Sequence, residues 1–302
     1  MHVFITGGTG QTGPAIVSEL VGAGHRVTGL ARSDAAAARL EELGAASLRG
    51  SLDDLDVLGA GAAQSGGVVH LAFGGADFSD PQGMTRRDVA AIHALGEPLA
   101  ATGKPLIITS GTLVMPPGRV STEHDAASPD SIAGLRYGGE RACLDLASRG
   151  VRSIVVRLAP TVHGPNDHGF IPMLIATARK TGYSAYVGDG SNRWPAIHRM
   201  DAAALYRLAL ETAPSGSALH GVGETAVPFA SIAEKIAERL GIPVRSVDAG
   251  DAAEQFGNPF MARVYAADNP ASSEHTQQLL GWSPTHWTLL DDLDNGDYFA
   301  AH

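Results

Sequence analysis

Three glycines at fixed spacing carry the first chemical signal in this 302-residue chain. They stand in Thr6-Gly-Gly-Thr-Gly-Gln-Thr-Gly13, directly after an apolar run and before a helix-like stretch with Pro14 near its start. Gly7, Gly10 and Gly13 together permit a tight turn, close backbone approach to a pyrophosphate, and close packing of helix on strand. A helix N-terminus at Gln11, Thr12 and Gly13 would turn free N–H groups and a positive dipole end towards the phosphates. Glycines also mark ordinary turns, and it is the strand–turn–helix setting that favours a dinucleotide here. A second signal follows about 20 residues on, where a carboxylate would hold the ribose 2′-hydroxyl of NAD. The sequence there reads Leu30-Ala31-Arg32-Ser33-Asp34. Ala31 fills the acidic position, and the guanidinium of Arg32 with the hydroxyl of Ser33 suits a 2′-phosphate. The expected cofactor is NADP(H), with NAD(H) as the alternative. The plainer reading is a solvated Arg32 and an Asp34 that caps the next helix.

Such a turn works only if a strand and a helix hold it. The first 165 residues alternate short apolar runs with helical spacing, the pattern of parallel βαβ units. Strands are predicted at 2–6, 26–31, 47–49, 67–71, 105–109 and 153–158, with helices at 14–23, 35–43, 86–102 and 131–149. Apolar strands flanked by helices imply an α/β fold, a Rossmann-like doubly wound parallel sheet. The second half is less regular, with helices at 201–211 and 229–240 and a short one at SSEHTQQLL. The predicted division is a cofactor domain of 1–163 plus 196–222. A smaller, mainly C-terminal substrate-binding lobe takes 164–195 plus 223–302.

Composition narrows the function classes. The chain has 32 acidic and 22 basic residues without charge runs, which argues against a nucleic-acid or anionic-membrane partner. The single cysteine, Cys143, cannot form an intrachain disulfide, and no cysteine cluster offers a metal site. No window approaches the roughly 20 apolar residues of a membrane span, and no signal-peptide pattern opens the chain. A cytoplasmic protein acting on a small molecule is expected. His163 and His168 lie five residues apart, but no third ligand has a compelling spacing, so no metal is expected.

The TGxxGxxG turn, the TSGT segment, Tyr137, VRLAPTVHGP, GDGSNRWPAIHRMDAA and LLGWSP together resemble extended short-chain dehydrogenases/reductases of the NAD-dependent epimerase/dehydratase type. The resemblance runs over nearly the whole chain. It implies cofactor contacts from Leu52, Leu71, Ala72, Ser110, Tyr137, Arg141, Pro160 and Val162 besides the glycine turn. It also implies a Tyr that moves a proton, a Lys four residues later, and a Ser or Thr beside the carbonyl. A phenol with an ordinary pKa of about 10 needs a nearby cation for that role. Tyr137 stands at the family's tyrosine position, but four residues on is Arg141, and no other tyrosine of the chain has a Lys at that spacing. Arg141 would supply a permanent charge without reproducing a compact ammonium; the pair is equally a surface i,i+4 contact. Thr112 is the first choice for the hydroxyl and Ser110 the second.

For the substrate, the resemblance points to His163, Arg193 and Trp194, with His198 and Asp201 as a structural tie. The dehydratase Asp-Glu pair is absent, since Leu113, Val114 and Met115 follow Thr112. The leading expectation is an NADPH-dependent reductase of a small carbonyl or imine with Tyr137 as proton donor. The alternatives are an NAD(P)-dependent epimerase with a transient keto intermediate and a non-catalytic NADP(H)-binding or sensor protein. Relatives dimerise through helices at the positions of 86–102 and 131–149, which makes a homodimer the expected assembly.

Overall fold

The computed structural model describes residues 1–73 and 80–300. Strand and helix alternate through β1 (His2–Thr6), α1 (Gly13–Gly22), β2 (Arg26–Ala31), α2 (Asp34–Glu42), β3 (Ala46–Arg49), α3 (Leu55–Ala63) and β4 (Gly67–His70). They continue through α4 (Pro81–Gly96), β5 (Pro105–Gly111), α5 (Tyr137–Asp145) and β6 (Arg152–Leu158). The less regular half holds β7 (Thr161–His163), α6 (Phe170–Thr181), β8 (Ser184–Val187), β9 (Arg193–His198), α7 (Arg199–Thr212) and β10 (Ser217–Gly221). It closes with β11 (Glu224–Pro228), α8 (Phe229–Leu240), β12 (Val244–Val247), α9 (Ala252–Gln255), α10 (Pro259–Tyr265), α11 (Glu274–Leu280) and α12 (Leu289–Asn295).

Seven strands form one sheet in the order β10-β6-β5-β4-β1-β2-β3, and every pairing in it is parallel. The expected doubly wound α/β fold is what forms. Strand alternation explains why both faces are buried. Val3 and Ile5 pack with Ile16, Leu20, Leu205 and Tyr206 on one side, while Phe4 between them packs with Leu58, Ile92 and Leu95 on the other. The strand order reverses between β1 and β4, and a crevice opens beyond their C-terminal ends, the place where such sheets bind ligands.

A separate apolar cluster fills the second lobe, with Ile171, Ile175, Trp194, Phe229, Ile232, Tyr265 and Leu289 among its members. Residues 271–282 depart from the predicted division. Ala271, Leu280 and Trp282 pack into the core of the main sheet, because α11 lies against β10 and α7. Helix α4 begins at Pro81 rather than 86, since the Asp80 carboxylate accepts from the Gly83 amide at 2.8 Å and caps it. The long helix expected at 131–149 is broken into a short 3₁₀ turn at Gly134–Arg136, α5, and a second 3₁₀ turn at Leu146–Arg149. Arg86, Arg87, His93, Arg141 and Asp145 stand exposed on α4 and α5, and no large apolar side chain of either helix is exposed.

Candidate active site

One cleft of about 750 Å³ runs along the C-terminal ends of the strands. At one end are Leu30, Arg32, Ser33, Ser51, Leu52, Asp53 and Arg87, in the middle the glycine turn, and at the other end Ser110, Gly111, Thr112, Leu113 and Arg136. Thirteen of the residues expected from sequence line it: Gly7, Gly10, Gln11, Thr12, Arg32, Ser33, Leu52, Leu71, Ala72, Ser110, Thr112, Pro160 and Val162.

The glycines divide by what their missing Cβ atoms would meet. Gly7 has φ of +73°, and a Cβ there would lie 2.7 Å from the Ala72 amide nitrogen. A Cβ on Gly13 would lie 2.3 Å from the Gly7 carbonyl oxygen, so this residue is required by packing of α1 on the turn. Gly10 is different: its nearest protein atom would be the Gly7 oxygen at 3.3 Å. Its open side faces the cleft. Thr12 gives α1 no side-chain cap, which leaves the first-turn amides for an incoming anion. These features fit a pyrophosphate.

Arg32 is exposed and has no ion-pair partner among the described residues. Asp34 pairs with Arg49 at 3.2 Å, and the cap of α2 is Ser33, whose hydroxyl accepts from the Ala36 amide at 3.2 Å. Gln11 lines the cleft, but its side chain reaches across it. The Gln11 Oε1 accepts from the His168 amide at 2.8 Å, and its Nε2 donates to Asp167. Asp167 also accepts from the Tyr298 hydroxyl at 2.6 Å. Segment 167–169 is thereby tied to the glycine turn.

The expected catalytic set is rearranged. Tyr137 and Arg141 do not line the cleft. Arg141 is exposed and donates to Asp145 at 3.2 Å along its own helix. The cause is helix phase: α5 buries Gly139, Glu140, Ala142 and Cys143, and residues 137 and 141 fall on another face. The residue presented to the cleft is Arg136. Its Nη1 donates to the Thr109 carbonyl at 3.2 Å, and its guanidinium stacks over the Phe73 ring at 3.6 Å. Burial lowers the Arg136 pKa, against the opposing charges of Asp88 and Glu140. Those carboxylates are already engaged, Asp88 with His70 at 3.2 Å and Glu140 with Arg157 at 2.9 Å. Helical spacing would have exposed this signal, since Arg136 and Glu140 share the inward face one turn apart.

The two hydroxyls also exchange rank. Thr112 is fully buried, donates to Asn269 Oδ1 at 3.0 Å, and has its carbonyl held by Asn269 Nδ2 at 3.2 Å. Ser110 lines the cleft, and its buried Oγ has no hydrogen-bond partner among the described residues.

None of the three residues expected to meet substrate reaches the cleft. His163 is buried, with Nδ1 at 2.9 Å from Asp292 of α12. Arg193 is clamped by Asp268, through Nε at 2.9 Å and Nη2 at 2.8 Å. Trp194 is at the centre of the second core, 5.7 Å from Phe170. Phe170 is the residue of that aromatic cluster that faces the cleft; Thr9, Phe73, Leu113 and Ala133 are further lining residues outside the expected set.

Among the described residues, His198, Asp201 and His286 bring ligand-type atoms within 4.8 Å of one another. They are already used in a tie. The Asp201 carboxylate accepts from the amides of Thr285 and His286 and from His286 Nδ1 at 3.0, 3.1 and 2.7 Å. No helix among the described residues is long and apolar enough to cross a membrane.

The chain is 47% identical over 300 residues to Uncharacterized protein C2A9.02 of Schizosaccharomyces pombe, covering 99% of this chain and all of that one. It is 29% identical to the 2-alkyl-3-oxoalkanoate reductase of Stenotrophomonas maltophilia, over 73% of this chain and 68% of the relative. Among solved structures it superposes on DesIV, a dTDP-glucose 4,6-dehydratase from Streptomyces venezuelae with NAD and TYD bound. The TM-score is 0.80 at 18% identity, over 99% of this chain and 97% of that one. Residues 3–220 match the model of the NAD dependent epimerase/dehydratase family. With the switch-point crevice, the phosphate-ready turn and this match together, the chain belongs to the NAD-dependent epimerase/dehydratase family and is an NAD(P)-dependent enzyme of the extended short-chain dehydrogenase/reductase type.

Proposed function

We propose that the protein is an NADPH-dependent oxidoreductase that reduces a small carbonyl or imine group. The observation that carries this reading is the continuity of one cleft, from Arg32, with no ion-pair partner among the described residues, through the glycine turn to the Ser110 hydroxyl, which has no partner among them either. A nicotinamide cofactor held along this cleft would supply the hydride for the carbonyl carbon. The chain's own part is to orient both molecules and to stabilise the negative charge that develops on the substrate oxygen. Ser110 is assigned to hydrogen-bond that oxygen. The proton that completes the alcohol comes from water entering the open cleft. Tyr137 is not assigned the donor role, because it is off the cleft wall. The reductase relative from Stenotrophomonas maltophilia supports net reduction over epimerisation.

The test is nicotinamide absorbance during turnover across a panel of ketones, aldehydes and imines. A reductase consumes NADPH in proportion to product. Product formed without net NADPH loss would identify an epimerase, and tight NADPH binding with no turnover anywhere on the panel would identify a binding protein.

A further inference from the structure

The cleft ends in a cation for which the reading so far has no use. Arg136 carries five N–H donors, of which Nη1 is spent on Thr109 and the face of the group on Phe73. No carboxylate of the described residues forms an ion pair with it. Asp88 and Glu140 oppose its desolvation but are engaged with His70 and Arg157, and Phe73, Leu113, Ala133 and Phe170 are apolar residues of the cleft it lines. A desolvated guanidinium with no ion-pair partner among the described residues is costly unless a ligand completes it.

The cofactor phosphates lie elsewhere. Arg136 is anchored on β5, and β4 separates that strand from β1, which carries the glycine turn. Two strand spacings amount to roughly 10 Å. Next to Thr109, by contrast, is Ser110, whose buried hydroxyl also has no partner among the described residues. Arg136, tied to the Thr109 carbonyl, and Ser110, the next residue of β5, line the same cleft. The guanidinium fork matches a carboxylate, which it can bind through two parallel hydrogen bonds.

We propose that the substrate is an oxo acid: Arg136 binds its carboxylate while Ser110 holds the neighbouring carbonyl oxygen, with a short apolar chain lying along Leu113, Ala133 and Phe170. This rests on the reductase reading above and adds the anionic group. Three compounds of one skeleton separate the two claims, namely 3-oxohexanoate, its methyl ester and 2-hexanone, each offered with NADPH.

Wild-type kcat/KM should favour the acid over the ester by about tenfold or more, the scale of one charge-assisted hydrogen bond. Arg136→Gln should abolish that preference while leaving NADPH affinity within about twofold; Arg136→Lys should keep part of it, as a charge without the fork. Equal use of acid and ester by the wild type overturns the proposal. So does a loss of NADPH affinity in Arg136→Gln that matches its loss of turnover, which would place the guanidinium on the cofactor. Should none of the three compounds be reduced, the carbonyl panel above decides the reductase reading, and calorimetry on the NADP⁺-saturated protein decides the anion site. Binding of 3-oxohexanoate to the wild type but not to Arg136→Gln upholds it, and no binding to either overturns it.

Discussion

At the scale of single residues, the cofactor end of the cleft was legible because its chemistry depends on backbone and local sequence. Gly7 and Gly13 are held to glycine by the backbone of the strand–turn–helix itself, Gly10 leaves its open side to the cleft, and Arg32 lies at a fixed offset from them. Gly7, Gly10 and Arg32 line one cleft, which is the arrangement the proposed cofactor site needs. Replacing Arg32 by Ala is expected to weaken NADPH binding by about 10-fold, a low-end value for a charged hydrogen bond at an exposed position. NADH affinity should not change. Fluorescence titration with both nucleotides checks this; an equal loss for the two would move Arg32 away from the 2′-phosphate. The catalytic end was less legible. Tyr137 and Arg141 matched a spacing, but α5 buries Gly139, Glu140, Ala142 and Cys143, and neither Tyr137 nor Arg141 is among the residues that line the cleft. Ser110→Ala is expected to lower kcat by about 10²-fold, as for lost stabilisation of a developing oxyanion, whereas Tyr137→Phe should lower it less than 10-fold. The reverse ranking in steady-state kinetics would restore the tyrosine as proton donor.

At the scale of elements, strands and long amphipathic helices announced themselves, while the positions of loops did not. β1, β2 and α8 run over the residues that periodicity predicts. The face presented by α5 was hidden because Gly138 and Gly139 give its first turn no apolar side chain to set the phase, and because the inward residues Arg136 and Glu140 are charged. Buried ion pairs such as Glu140 with Arg157, 2% and 4% exposed, look like surface charge in a sequence. His163, Arg193 and Trp194 were misread for the converse reason. Their partners Asp292, Asp268 and Ala267 lie roughly 70 to 130 residues away, beyond any local pattern. The first turn itself offers a test that separates packing from ligand binding. Gly13→Ala places a Cβ 2.3 Å from the Gly7 oxygen and should destabilise the fold by about 1–3 kcal/mol or more. Gly10→Ala meets protein only at 3.3 Å, from the Gly7 oxygen, so it should cost much less urea stability than Gly13→Ala and still weaken NADPH binding. Equal stability losses in the two variants would mean that Gly10 serves packing alone.

At the scale of the whole molecule, the main sheet and the C-terminal segment are joined through a group of histidines and carboxylates that never reaches the cleft. His198 begins α7 and caps it, its Nδ1 accepting from the Met200 amide at 3.2 Å, so the cap requires a neutral ring. His163 lies edge-on to it with ring centroids 5.4 Å apart, and His286 stacks on it at 4.8 Å. Burial, reinforced by those two neighbouring rings, pushes the His198 pKa down to about 4, with Asp292 and Asp201 opposing. The unfolded chain binds the proton near pH 6.5. As pH falls from about 6.5 to about 4, the unfolded state therefore takes up a proton that the folded state refuses, and stability declines through that window. Above pH 6.5 both states are neutral and the effect is absent. The integrated loss is about 3 kcal/mol, from some 2.5 pKa units at 1.36 kcal/mol each. Other groups titrate in the same range, and Glu224, whose carboxyl is held above its usual pKa by burial, works in the opposite direction. A difference measurement isolates His198: Asn at position 198 retains an N-cap acceptor but cannot be protonated. Urea unfolding across pH 4–7 should show wild type losing about 3 kcal/mol more than His198→Asn. Parallel stability curves for the two proteins would show that this histidine is not what makes the junction sensitive to acid.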